Sequence, residues 1–344
     1  LDGVIIGSGH NSLACAVHLA AQGWKVGVFE RAGEPGGAVK SGEYTLPGYR
    51  HDWAAMNLSL FAGSAFFKQY SEELGSHGLA FAPASNCFSS VFPDGTWLGV
   101  SNDLETTASR IEKICPEDAR VWRALTSEFS GRAETLFALL GSPAKKRAFA
   151  YILFKEWRKS GSDGVLDLAR FLLSSPRDWL NTTFTSPKVR ALLAAWGMHL
   201  DFAPDISGGA LFPYLEGMVN QAFGMVLGQG GADTIVKAMV SQIEASGGSV
   251  TCNAEVTRVI VENGQARGIE LKDGRQIMAR KAVIANVAPS ALLKLAGETG
   301  NARYDLGLKK SAHAPGTMMI HLAMDALPHW TAGEELGRNR QRAV

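Results

Sequence analysis

Gly7, Gly9 and Ser12, in the run Gly7-Ser8-Gly9-His10-Asn11-Ser12, have the spacing of a tight turn whose backbone can lie directly against a phosphate. In a G-x-G-x-x-G turn the first glycine makes the bend and the second admits the close approach of a diphosphate. The third position packs a following helix against the preceding strand, and Ser12 is small enough for that role. A helix beginning here directs unpaired N–H groups and the positive end of its dipole at the anion. Asn11 and Ser12 add side-chain hydrogen-bonding groups, while His10 turns its ring either to solvent or to a ligand and is a weak candidate for chemistry. Glu30 falls roughly 20 residues beyond the turn, where a carboxylate grips the ribose hydroxyls of a dinucleotide. The same carboxylate repels a 2′-phosphate, which disfavours NADP.

These residues need a βαβ unit to hold them. Gly3 to Ile6 reads as a short apolar strand, and Ser12 to Gln22 as a helix with Leu13, Ala16, Val17 and Ala20 on one face. Gly23 ends the helix, as glycine commonly does, and Trp24 to Glu30 reads as the second strand. A turn-rich stretch follows to Gly42. From Leu60 to Met225 the pattern becomes helical, with segments expected at 103–114, 119–140, 144–159, 165–173 and 186–196, and with most of the tryptophans. Strand and helix then alternate again. Asp233 to Ala245 is an amphipathic helix with Ile235, Val236, Met239, Val240 and Ile243 on one stripe. Gly247-Gly248 stops it. Residues 249–278 read as short strands turned at Asn263-Gly264 and Asp273-Gly274, and Lys281 to Asn286 as a further apolar strand.

Composition narrows the function classes. The 344 residues are 46% hydrophobic and 19% charged, enough for a large core, and length suggests two domains. Lys and Arg number 34 against 33 Asp and Glu, so nothing in the net charge of +1 calls for nucleic acid. Cys15, Cys87, Cys115 and Cys252 form no C-x-x-C pair, which excludes a local dithiol centre and leaves reduced thiols as the expectation. No metal is expected, because His199, His313, His321 and His329 lack ligand spacing. No apolar run reaches the ~18 residues of a membrane span, and the strand at Gly3 leaves no room within the chain for a signal peptide. The expected localisation is cytoplasmic, with peripheral membrane contact as an additional expectation. That contact would come from residues 145–159, where Phe149, Tyr151, Phe154 and Trp157 stand among Lys and Arg; the segment reads either as a core helix with solvated ends or as an interfacial one.

The run Glu30-Arg31, Pro35-Gly36-Gly37-Ala38 and Leu46-Pro47-Gly48-Tyr49-Arg50-His51-Asp52 resembles the FAD signature of the phytoene dehydrogenase-related and amine-oxidase-type flavoproteins. The stretch Gly228-Gln229-Gly230-Gly231, Gly247-Gly248, Val256 and Asn286 resembles the second portion of their FAD domain. The resemblance implies an α/β fold: a Rossmann-like FAD/NAD(P)-binding domain of the glutathione-reductase type, with an inserted, helix-rich substrate domain. The former would comprise residues 1–60 and 226–297, the latter residues 61–225 and 298–344. It also implies FAD as cofactor, held by Gly7, Ser8, Gly9, Asn11, Ser12, Glu30, Arg31, Gly36, Gly37, Ala38, Val256 through its backbone, and Asn286. His51 and Asp52 would fall near the flavin, where Asp52 either fixes the local loop or takes part in proton transfer. In the family a further glycine-rich segment closes over the cofactor, and it has no counterpart before Val344. The implied reaction moves hydride from a C–H of an apolar polyene or lipid-like substrate to flavin, so no motif for a catalytic base is expected. Amine oxidation and a non-catalytic flavin-binding scaffold are the alternatives.

Overall fold

The first expected strand is β1, Gly3–Ile6, and all four of its residues are buried. In the computed structural model, which describes residues 1–143, 145–199, 203–313 and 316–338, β1 is central in a four-stranded parallel sheet. It pairs with β2, Val26–Phe29, on one side and with Ala282–Ala285 on the other, and Ser249–Thr251 extends the sheet beyond β2. Parallel strands covered on both faces require continuous apolar runs rather than alternation, and Gly3-Val4-Ile5-Ile6 is one.

The two faces are covered differently. Ile5, Val26 and Val28 pack with Leu13, Ala16 and Val17 of α1, His10–Ala21, and with Ile235, Val236 and Met239 of the helix Thr234–Ala245. Val4, Ile6 and Phe29 pack instead with Val256, Val259, Ile269 and Leu271 of an antiparallel three-stranded sheet. That sheet comprises Val256–Glu262, Gln265–Leu271 and Gln276–Met278. Its first hairpin turns at Asn263 and Gly264, both at positive φ (51° and 74°), the backbone that an Asn-Gly turn supplies at low steric cost. A parallel sheet between two helices and a small antiparallel sheet is the Rossmann-like arrangement expected from the sequence.

The chain divides into two units. Leu1–Ala82 with Val226–Ala326 form the first; Pro83–Met225 with residues 327–338 form the second. The sequence reading placed the first break near residue 60 and gave residues 298–344 to the second domain, whereas residues 298–326 group with the first unit. Residues just beyond 60 stay with the first unit because the helix Ala65–Ser76 buries Tyr70 and Leu74 in the same core as Met239 and Ile243.

The second unit is mainly helical: Leu104–Glu112, Pro116–Gly141, Lys146–Leu173, Pro176–Thr183, Pro187–His199 and Leu211–Phe223. Residue 144 of the expected 144–159 helix lies outside the described residues. The expected 144–159 and 165–173 segments form one element broken at Gly161, whose φ of +69° no helix contains. A hairpin, Asn86–Val91 with Trp97–Ser101, adds strands that the helical reading of this region passed over. Trp122 is fully buried beside Leu193, Tyr214 and Met218, and its indole N–H donates to Gln221 Oε1 at 2.9 Å.

Asp118, fully buried in the first turn of Pro116–Gly141, accepts the N–H groups of Thr185 and Ser186, each at 2.8 Å. Removing an acceptor and leaving buried donors unpaired costs about 1–3 kcal/mol per donor. Ser186 is buried and Thr185 is open to water, so Asp118→Ala is expected to destabilise the protein by ~1–3 kcal/mol. Urea denaturation is the measurement, and a loss below ~1 kcal/mol would contradict this account.

Candidate cofactor site

The C-terminal ends of the parallel strands bring the candidate residues together, the edge of an open α/β sheet where ligands bind. Gly7 leaves β1 at φ +88° while its N–H still donates to Phe29 O at 2.8 Å. A Cβ on Gly7 would stand 3.5 Å from the carbonyl oxygen of Asn286, which follows the neighbouring strand Ala282–Ala285. Gly36 N–H donates to Ser8 O at 3.0 Å, and Gly36 bridges to Gly9. A Cβ on Gly37 would sit 3.1 Å from Gly9 Cα. The two glycine-rich segments thus lie against each other, although separated by α1 and β2 in sequence.

Glu30 ties this arrangement to β2. Its Oε2 accepts both the backbone N–H and the hydroxyl of Ser8 at 2.8 Å, and its Oε1 accepts Ala32 N–H at 2.9 Å. Desolvation by burial works to raise the pKa of this carboxyl, but the bonds from Ala32 and Ser8 and the charge of Lys40 outweigh it, so Glu30 titrates below its ordinary range. The sequence assigned Glu30 to a sugar. The structure adds that it fixes the turn at Ser8, and the second acceptor position of Oε1 has room in the bonding pattern for one hydroxyl.

The start of α1 presents unpaired donors. Gly9 is its N-cap, no side chain caps it, and its first turn carries no acidic residue. The amides of that turn have no acceptor within the helix. A Cβ on Gly9 would meet nothing within 4 Å, so open space lies over these amides. Ser12 is 1% exposed and its hydroxyl has no partner, an orphan donor in the first turn of the helix. His10 is partly buried, which pushes its imidazole below the usual value and keeps it neutral at neutral pH. Asn11, Arg31, Gly37 and Ala38 are exposed around the turn. A diphosphate with an attached ribose fits this donor set.

The remaining candidates separate from it. Val256 lies nine-tenths buried in the antiparallel sheet, its side chain part of the core beneath β1. His51 and Asp52 lie on a short hairpin strand paired with Ser41–Gly42. His51 Nε2 is 2.8 Å from Thr45 Oγ1, and its ring lies 5.2 Å from that of His321, tilted by 40°. Asp52 Oδ1 accepts the Ser41 hydroxyl at 2.5 Å and Ala232 N–H at 2.7 Å, and Ser41 Oγ in turn accepts Asp233 N–H at 3.1 Å. Arg50 donates to Gly230 O at 2.7 Å and to Asp233 Oδ2 at 2.6 Å. The hairpin therefore clasps the Gly228–Gly231 loop at the start of the helix Thr234–Ala245. Of the two roles open to Asp52, fixing this loop is the one its bonds serve. Ser41 and Arg50 were not singled out from the sequence, because their partners lie about 180 residues away. Asp52→Asn retains an acceptor oxygen for both donors. It is expected to leave cofactor content and turnover within about twofold of the parent, and a loss of turnover with flavin still bound would instead make Asp52 a proton-transfer group. Among the described residues no group of His, Cys, Asp and Glu is arranged for a metal, and the His199 side chain lies outside the described residues.

The sheet order, the glycine-rich strand–turn–helix and the carboxylate after β2 define a Rossmann-like nucleotide-binding domain. Residues 5–72 match the NAD(P)-binding Rossmann-like domain family. Across 340 residues the chain is 24% identical to a 4,4′-diapophytoene desaturase (4,4′-diapolycopene-forming) of Methylomonas, covering 95% of this chain and 62% of that protein. It is 27% identical over 308 residues to mouse pyridine nucleotide-disulfide oxidoreductase domain-containing protein 2, covering 81% of this chain and 52% of that one. Among solved structures, an oxidoreductase from Methanosarcina mazei superposes with a TM-score of 0.56 at 19% identity, over 90% of this chain and 65% of that chain. The resemblance read from the sequence holds: the chain is similar to phytoene dehydrogenase-related oxidoreductases. It spans between half and two thirds of the length of these relatives.

Proposed function

We propose that the chain carries the FAD-binding part of a desaturase-like oxidoreductase that removes hydride from a C–H of an apolar, polyene or lipid-like substrate. The observation that carries this reading is the uncapped first turn of α1, with its orphan Ser12 hydroxyl and open space over Gly9, beside a carboxylate already ionised at neutral pH. The names of the desaturase relatives supply the substrate class.

Gly7 and Gly9 let the backbone approach a diphosphate, and the amides of His10, Asn11 and Ser12 bind its oxygens. Glu30 holds a ribose hydroxyl while fixing Ser8, so sugar and phosphate recognition are mechanically linked. Arg31 lines a depression of about 350 Å³ together with Asn253, Glu255, Leu271, Lys272 and Asp273, and in this reading it borders the nucleoside. Asp52, Ser41 and Arg50 hold the Gly228–Gly231 loop in position. When bound, the flavin itself supplies the hydride acceptor, so the protein's work is orientation and exclusion of water.

The absorption spectrum of the purified protein is the first test: flavin bands that are released on denaturation are expected. Anaerobic mixing with polyenes and with amines then separates the readings. Bleaching by polyenes supports desaturation, bleaching by amines supports amine oxidation, and a flavin that stays oxidised with both contradicts catalysis.

A further inference from the structure

The segment read from sequence as either a core helix or an interfacial one has an exposed face. In the first half of Lys146–Leu173, before the break at Gly161, Ile152 alone is buried. Leu153, Phe154 and Trp157 are 42%, 51% and 51% exposed, and spacings of three and four place them on one face of the helix. Phe154 and Trp157 stack on each other at 6.0 Å, and Tyr151, 60% exposed, lies beneath the Lys155 ammonium at 5.5 Å. The opposite side meets the helix Pro116–Gly141, where Glu156 accepts the Thr135 hydroxyl at 2.6 Å and Lys159 donates to Gly131 O at 2.7 Å.

Charge selects the occupant of this face. Between residues 145 and 159 there are six cations and one carboxylate, Glu156, in a chain whose total is only +1. Lys146, Arg147, Lys155 and Arg158 form no ion pair among the described residues. A second copy meeting this face across a two-fold axis would set those cations against their own mates. An anionic bilayer satisfies both features at once. Aromatic and aliphatic side chains enter the headgroup boundary while the cations meet lipid phosphates. No helix among the described residues is long and apolar enough to cross a membrane, so such contact is peripheral.

We infer that residues 146–160 are a docking helix for an anionic lipid surface, with Leu153, Phe154 and Trp157 inserted and Arg147, Lys155 and Arg158 paired to headgroups. This is independent of the chemistry proposed for the cofactor domain.

The test is co-sedimentation of the whole protein with vesicles of phosphatidylcholine alone or mixed with phosphatidylglycerol. Binding to the mixed vesicles, weak binding to the neutral ones and loss at high salt are expected. Leu153→Gln/Trp157→Ser should abolish binding. Arg147→Gln/Lys155→Gln/Arg158→Gln should weaken it on the order of a hundredfold, about fivefold per cation. Both variants change exposed side chains, so thermal melting and flavin content should match the parent, and those two readouts keep a folding defect distinct from a docking defect. Absence of binding by the parent, or binding unchanged in both variants, overturns the inference. So does sedimentation velocity showing a dimer that Trp157→Ser dissociates.

Discussion

Gly9→Val is expected to yield a folded protein that purifies without flavin. The backbone at Gly9 has φ −58° and ψ 157°, a conformation open to any residue, and a Cβ there would meet no protein atom within 4 Å. Folding therefore has no reason to require glycine. A diphosphate does, because the valine methyl groups would fill the space over the uncapped amides of α1. Losing two charge-assisted bonds to phosphate costs ~3 kcal/mol or more, roughly a hundredfold in affinity. Gly36→Ala is the contrasting variant. Gly36 stands at φ +116°, and its Cβ would lie 2.3 Å from Val39 O, so here the fold itself should suffer. Thermal melting of the apoproteins and flavin titration separate the two. A Gly9→Val protein that retains flavin at near-parental affinity would contradict the site.

Glu30→Gln carries the second large effect. Three donors converge on the Glu30 carboxylate, and a glutamine offers one oxygen and one NH₂ in its place. Either rotamer sets the NH₂ against a backbone N–H, of Ala32 or of Ser8, leaving it unpaired at a cost of about 1–3 kcal/mol. A ribose hydroxyl also loses its anionic acceptor. Together a fall in flavin affinity of roughly 10–100-fold and a modest fall in melting temperature are expected. The pH dependence has a definite sign. Because the folded pKa lies below the ordinary 4.5, the contribution of Glu30 is fully present above that value and is lost as pH falls through the lowered one. The stability gap between parent and Glu30→Gln should accordingly be constant at neutral pH and narrow below about 4.5. A gap that widens in acid would show that the carboxylate is not stabilised as described.

Much of the cofactor domain was legible because its signals are local. The strand Gly3–Ile6, the turn through Ser12, the stop at Gly23 and the Asn263-Gly264 hairpin each arise from neighbouring residues, where steric limits on φ or helical periodicity decide the outcome. The position of Glu30 was also legible, since a strand of fixed rise delivers it to the sheet edge. Its two hydrogen bonds from Ser8 were not, because nothing local records that this carboxylate braces the turn. The clasp of Ser41, Arg50 and Asp52 on the Gly228–Gly231 loop was hidden for a similar reason: its partners meet only after the helical unit has been looped out. In that unit the long helices could be read from periodicity, whereas the hairpin at 86–101 could not. Its short strands, Asn86–Val91 and Trp97–Ser101, were absorbed into a region whose average pattern is helical.

The pairing of β1 bears on the birth of the protein as well as on its site. Gly3 pairs in register beside Ala282, so a growing chain exposes one side of its first strand until residues 282–285 have been synthesised. The helical residues between are dominated by local contacts and can organise earlier, during elongation. Through that interval an apolar, unpaired strand edge is open to foreign strands. Molecular chaperones that shield nascent chains should therefore matter more to the yield of this protein than its native stability would suggest.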